Sequence, residues 1–131
     1  MSRPALFALL SLLVLVCLSA CAPVARGPLK VVERDSGSLL ELRVGARYEV
    51  VLDANPSTGY VWALSEPHVA VVQPQGEPQF TLDSKAADGS GKMTWLFEAV
   101  APGEAVLEMV YQRPGETPPL RSFVLFLTVN K

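Results

Sequence analysis

From Leu29 onward, short runs of Val, Leu, Tyr, Phe and Trp alternate with clusters of Gly, Pro, Asp and Ser, and no run carries a helical period. The pattern predicts strands near Leu29 to Arg34, Leu39 to Val44, Arg47 to Leu52, Tyr60 to Leu64, Val69 to Val72, Gln79 to Asp83, Met93 to Ala99, Ala105 to Gln112 and Arg121 to Asn130. Within them apolar residues recur at every second position, the period of a chain whose successive side chains face opposite sides of a sheet. Tyr48, Val50 and Leu52 share one face, as do Tyr60, Trp62 and Leu64, then Trp95 and Phe97, then Leu107, Met109 and Tyr111. The run from Phe123 to Leu127 is apolar on both faces and is expected to lie between two neighbouring strands. Together these features predict an all-β fold, an immunoglobulin-like two-sheet β-sandwich of about seven to nine strands. Its large aromatics, Trp62, Trp95, Phe97 and Tyr111, are expected to fill the space between the sheets.

If consecutive strands from Arg47 onward run mainly antiparallel, every second connection emerges at the same end of the sandwich. Three loops are expected to meet at one end, Asp53 to Gly59, Ser84 to Lys92 and Arg113 to Leu120. The turn through Pro102 and Gly103 falls at the opposite end. Loops held by a rigid scaffold are where function concentrates. The first of them, Asn55-Pro56-Ser57-Thr58-Gly59-Tyr60, is the most informative. Pro56 fixes its own φ and keeps Asn55 extended, while Gly59 is free to turn the chain back into the next strand. Ser57 and Thr58 then form a narrow tip bearing only small hydroxyls, which fits a cleft that a Lys or Trp could not enter.

The chain before the first strand has a different character. Arg3 precedes an apolar run from Ala5 to Val16, with small residues at Ser19 and Ala20, the layout of a secretory signal. The run is shorter than the roughly 20 residues a spanning helix needs. Leu18-Ser19-Ala20-Cys21 resembles the lipobox of bacterial lipoproteins, which implies cleavage after residue 20 and lipid on the Cys21 sulfur, with more than one acyl chain for stable anchoring. Ala22 resembles the residue that follows this cysteine in proteins sent to the outer membrane. The expected division is a signal peptide over 1–20, lipidated cysteine and tether over 21–28, and one domain over 29–131. Residues Ala22 to Pro28 reach at most about 25 Å from the lipid surface.

Composition narrows the chemistry. Of 131 residues, 11 are Lys or Arg and 13 Asp or Glu; losing Arg3 with the signal leaves a charge of about −3, a poor match for nucleic acid. Cys17 would leave with the signal and Cys21 would carry lipid, so no disulfide joins the mature chain. A single histidine, His68, and no free thiol argue against structural zinc, and His68 is read as a solvated loop residue. Asn55-Pro56-Ser57 is no glycosylation acceptor, because proline holds its middle position. Ser57 lacks the glycines of a nucleophile elbow, and no His, Cys or carboxylate group has catalytic spacing. The chain is therefore not expected to be an enzyme or to need a cofactor.

The stretch Val44 to Leu52, followed by Asn55 to Tyr60 and Trp62, is similar to the hallmark of chagasin-type inhibitors of papain-like cysteine peptidases, whose loop reads Asn-Pro-Thr-Thr-Gly followed by Tyr or Phe. That family carries a Gly-x-Gly-Gly loop and an Arg-Pro-Trp loop as well. Gly89-Ser90-Gly91-Lys92 and Arg113-Pro114-Gly115 stand in the corresponding places and order, and the resemblance runs from Ser38 to Lys131. It implies a reversible inhibitor that fills the active-site cleft of a papain-like peptidase; together with the lipobox, the expected form is a monomer held to the membrane by lipid on Cys21. In that arrangement Ser57 and Thr58 lie over the catalytic pair, shaped by Asn55, Pro56, Gly59 and Tyr60. Gly89, Ser90 and Gly91 approach from one side, and Arg113 with Pro114 from the other. Three positions depart from the family pattern: Gly115 in place of Trp, Lys92 in place of the last Gly and, more mildly, Ser57 in place of the first Thr, which keeps the hydroxyl. The alternative is a non-inhibitory, lipid-anchored envelope domain that binds another protein or peptide with the same loops.

Overall fold

The computed structural model describes residues 27–66 and 70–131. The signal segment, Cys17, Cys21, the tether up to residue 26, His68 and Val69 lie outside the described residues. Among the described residues, nine strands form two sheets. They are β1 (Leu29–Val32), β2 (Leu39–Arg43), β3 (Arg47–Ala54), β4 (Val61–Leu64), β5 (Val72–Pro74), β6 (Gln79–Leu82), β7 (Gly91–Ala99), β8 (Gly103–Gln112) and β9 (Arg121–Asn130). One sheet runs β1-β3-β7-β5 with β6 also on β7, and the other runs β2-β9-β8-β4.

Alternation places the core where the sequence pattern predicts it. Tyr48, Val50 and Leu52 of β3 and Phe97 of β7 face Leu107 and Met109 of β8 and Phe123, Leu125 and Leu127 of β9, all essentially solvent-free. Each such side chain contributes about 1.5–3 kcal/mol through burial. Trp62 and Tyr111 are buried, and Tyr60, Leu64 and Trp95 pack against the same core while partly exposed. The last strand is central, flanked by β2 and β8, as its apolar run predicts. Its outer face is open all the same, and Phe126 stays exposed.

Several boundaries differ from the periodic pattern. Arg34 belongs to a turn of 3₁₀ helix, Glu33–Asp35, because the Asp35 carboxylate accepts from the Val32 amide at 2.9 Å and turns the chain out of β1. The segment expected from Val69 to Val72 forms its strand later, at Val72–Pro74. There β5 and β6 pair with the same edge of β7 and run in the same direction. They are two halves of one edge strand, and the four residues between them bulge outward while the Gln75 amide still bonds the Leu96 carbonyl at 2.7 Å. Proline is tolerated there because an edge strand has one unpaired side.

That break decides where the loops go. Nine strands counted singly would send the β6–β7 loop to the wrong end, but with β5 and β6 as one passage the direction reverses at every remaining connection from β3 to β9. The β3–β4, β6–β7 and β8–β9 loops therefore share one pole. The chain enters β1 at the other pole, since Leu29 lies beside Tyr48 at the start of β3.

Candidate functional site

Pro56–Thr58 form one turn of 3₁₀ helix at the tip of the first loop. Asn55 caps it: extended as expected ahead of proline, it accepts the Ser57 amide on Oδ1 at 3.1 Å. Gly59 closes the turn in the left-handed region, at φ 80°. The Thr58 hydroxyl donates back to the Asn55 carbonyl at 2.7 Å and the Ser57 hydroxyl to Asn55 Oδ1 at 2.5 Å. Both hydroxyls therefore stiffen the tip they belong to.

The second loop buttresses the first from one side. The Asp88 carbonyl accepts from Asn55 Nδ2 at 3.0 Å and from the Ser57 hydroxyl at 3.2 Å. The Asp88 carboxylate in turn accepts the Ser90 amide at 3.1 Å and the Ser90 hydroxyl at 2.6 Å. Those hydrogen bonds, the hydroxyl first, hold the Asp88 carboxyl below its usual range. A lowered carboxyl value stabilises the fold above the ordinary aspartate range and ceases to do so only as pH falls through the lowered value, so the turn keeps its charge in mildly acid solution. Gly89 packs against Ser57, and a Cβ added there would lie 3.2 Å from the Ser57 hydroxyl.

The third loop buttresses it from the other side. Arg113 Nε donates to the Thr58 carbonyl at 3.0 Å, and its guanidinium lies 4.5 Å from the Tyr60 ring centre. Tyr60 stacks on Tyr111 at 5.4 Å, and the Arg121 guanidinium lies 4.5 Å from the far ring. Cation, two rings and cation make a column beneath the tip, with each arginine on the electron-rich face of a tyrosine. Tyr111 also accepts the Asn55 amide on its hydroxyl at 2.9 Å. The Asp53 carbonyl takes Trp62 Nε1 at 2.9 Å and Arg121 Nη2 at 3.0 Å, and Arg121 is ion-paired with Glu33 at 2.7 Å.

The structure thus brings Asn55, Pro56, Ser57, Thr58, Gly59 and Tyr60 together with Gly89, Ser90, Arg113 and Pro114 on one rim. Gly91 is placed differently from its neighbours. It begins β7, buried, with the Thr81 carbonyl and the Phe80 ring where a side chain would go, so its missing Cβ serves the sheet. Lys92 follows it in β7 and is paired with Asp53. The sequence pattern does not single out Tyr111, Arg121 or Asp88 as supports of the rim. Tyr111 stands out only as a core aromatic, although its hydroxyl needs a partner once the ring is buried. Nothing in the sequence marks the Asp88 backbone carbonyl as an acceptor.

The description of the family model that matches residues 41–127 is a chagasin family peptidase inhibitor. Among solved structures, a cysteine protease inhibitor from Entamoeba histolytica is similar to the chain at a TM-score of 0.69 and 20% identity, over 79% of this chain and 100% of that one. The Leishmania mexicana ICP is similar at a TM-score of 0.51 and 25% identity, over 83% and 96%. PbICP-C, solved in complex with falcipain-2, is similar at a TM-score of 0.51 and 16% identity, over 84% and 96%. No curated protein matches by sequence.

Proposed function

The chain belongs to the chagasin family of peptidase inhibitors, and from that premise we propose that its three-loop rim enters the active-site cleft of a papain-like cysteine peptidase and blocks it reversibly. It is an inhibitor of cysteine peptidases and not an enzyme. The observation that carries the cleft reading is the tip at Pro56–Thr58, small, exposed, and fixed from both sides by the Asp88 carbonyl and by Arg113. A tip already ordered in the free protein avoids much of the ordering cost of association, so a modest surface can bind tightly. Asn55, Pro56, Ser57 and Thr58 form the entering edge, and Gly89, Ser90 and Pro114 lie against the cleft walls. Arg113 acts chiefly by holding Thr58, and Gly91 by letting β6 approach. Titration of papain with the purified protein tests this: stoichiometric, reversible loss of activity is expected, and full activity at micromolar inhibitor would overturn it.

Gly115 provides a graded test. Its surroundings are open, and a Trp there would restore an anchor of the kind that dominates interfaces, worth about 2 kcal/mol or roughly 30-fold in affinity. Gly115 holds φ 82°, however, a conformation that costs a non-glycine residue about 1–2 kcal/mol. Where the free loop relaxes from that strain, binding must restore it. Gly115→Trp should therefore tighten papain inhibition by up to about thirtyfold where the loop keeps its conformation, at an expense in stability, and by up to about fivefold where the strain falls on binding. No gain in a variant destabilised by that strain, whose free loop therefore keeps its conformation, would place the third loop away from the enzyme.

The protein is further proposed to be a monomer anchored in the bacterial envelope, in the outer membrane, through lipid on Cys21. Support comes from the lipobox-like Leu18-Ser19-Ala20-Cys21 and from the entry of the chain at the pole opposite the inhibitory rim. An anchor at that pole points the rim away from the bilayer. Cys21→Ser should move the protein from the membrane to the soluble fraction of expressing cells; unchanged fractionation would remove the lipid anchor.

A further inference from the structure

The rim carries more apolar surface than its tip accounts for. Leu82, the last residue of β6, is 57% exposed, and Leu120, just before β9, is 61% exposed. Both line one concavity of about 810 Å³, which also borders Asn55, Thr58 and Ser90 and so continues directly from the rim. Neither leucine is loosely held. Leu82 pairs with Gly91 in the sheet, and the Leu120 amide donates to the Tyr111 carbonyl at 2.9 Å.

The charged groups around this concavity are already engaged: Lys92 with Asp53, Arg121 with Glu33, and the Asp83 carboxylate with the Lys85 amide. A charged occupant would compete with those bonds, whereas an apolar one would cover the two leucines and leave the bonds intact. The space suits an aromatic or large aliphatic side chain. At Gly115, by contrast, the third loop offers no side chain at all.

We infer that this concavity receives an apolar side chain projecting from the wall of the peptidase cleft, with Leu82 and Leu120 as the specificity-determining grips. This rests on the cleft reading proposed above and extends it: the inhibitor is both a wedge and a receptor. Its preference among papain-like peptidases then follows the apolar residue each carries on its rim, and a peptidase with a charged residue there is inhibited less.

The test compares Leu82→Ala, Leu120→Ala and the double variant with the wild type in titrations of papain. Leu39→Ala, on the exposed outer face of the other sheet, is the control. Truncating either grip should raise the inhibition constant about fivefold and the double variant about twentyfold or more, with unfolding midpoints nearly unchanged because both residues are mostly solvated. Thr58→Lys, measured alongside, separates the two levels of the argument. If Thr58→Lys weakens inhibition while both leucine variants stay within about twofold of the wild type, the concavity is not a receptor and the cleft reading stands. Equal losses from Leu39→Ala and the rim variants would also overturn the inference. A wild-type protein that inhibits no papain at all would overturn the cleft reading and this inference with it.

Discussion

Thr58→Lys should raise the inhibition constant against papain by at least about thirtyfold while the domain stays folded. In the free protein Thr58 is exposed at the end of the 3₁₀ turn, so a lysine there projects into water. The variant loses the bond from the Thr58 hydroxyl to the Asn55 carbonyl and the weaker one from the Tyr60 amide at 3.4 Å, a cost of about 1 kcal/mol in stability. In the complex the same lysine must enter the cleft, where a buried ammonium without a partner costs about 2–5 kcal/mol. The difference falls on binding and not on folding. Inhibition by a folded Lys variant equal to that of the wild type would remove the tip from the mechanism.

The contrast between the two costs shows why the tip was legible in the sequence. A Pro, two small hydroxylic residues and a Gly in succession constrain the backbone locally, and the 3₁₀ turn capped by Asn55 depends on little else. The same is true of the core, since a two-residue period dictates which side chains face inward whatever the sheet order. What the sequence did not disclose lies in pairings between distant segments. The bulge that makes one edge strand of β5 and β6 depends on their shared partner β7, and only that pairing aligns the three loops. Counted singly, the predicted strands put the β6–β7 loop at the other pole; the three loops meet because Val72–Pro74 and Gln79–Leu82 behave as one passage.

The supports of the rim were hidden for a related reason. Tyr111 has the sequence character of a core aromatic and does fill the core, yet its hydroxyl also fixes the Asn55 amide, 56 residues away in the chain. Arg121 begins a strand like any surface cation, but it closes a column of rings and ties Asp53 to Glu33. Arg113, expected from the family resemblance to reach the enzyme, lies back over Tyr60 and bonds the Thr58 carbonyl. In each case residue type is readable and direction is not, because direction is set by a neighbour from another part of the chain.

Gly91→Ala carries the second large effect, and it separates a sheet glycine from a contact glycine. An added Cβ would fall far inside van der Waals contact distance of the Thr81 carbonyl oxygen and 2.7 Å from the Phe80 ring. The ring can swing away, but the carbonyl belongs to the strand paired with β7 and cannot move unless β6 does. Overpacking of this kind costs about 1–3 kcal/mol. In a domain of this size that is a fall of roughly 5–20 °C in the unfolding midpoint. The readiest relief is for β6 to part from β7, since all four of its residues are exposed and little burial is lost. That movement would carry the Asp88 carbonyl away from Asn55 and Ser57, so inhibition should weaken together with the midpoint, and amide exchange should quicken in β6 before the rest of the sheet. A variant that melts like the wild type yet inhibits poorly would instead make Gly91 a point of direct contact with the peptidase, and would take the close approach of β6 out of the explanation.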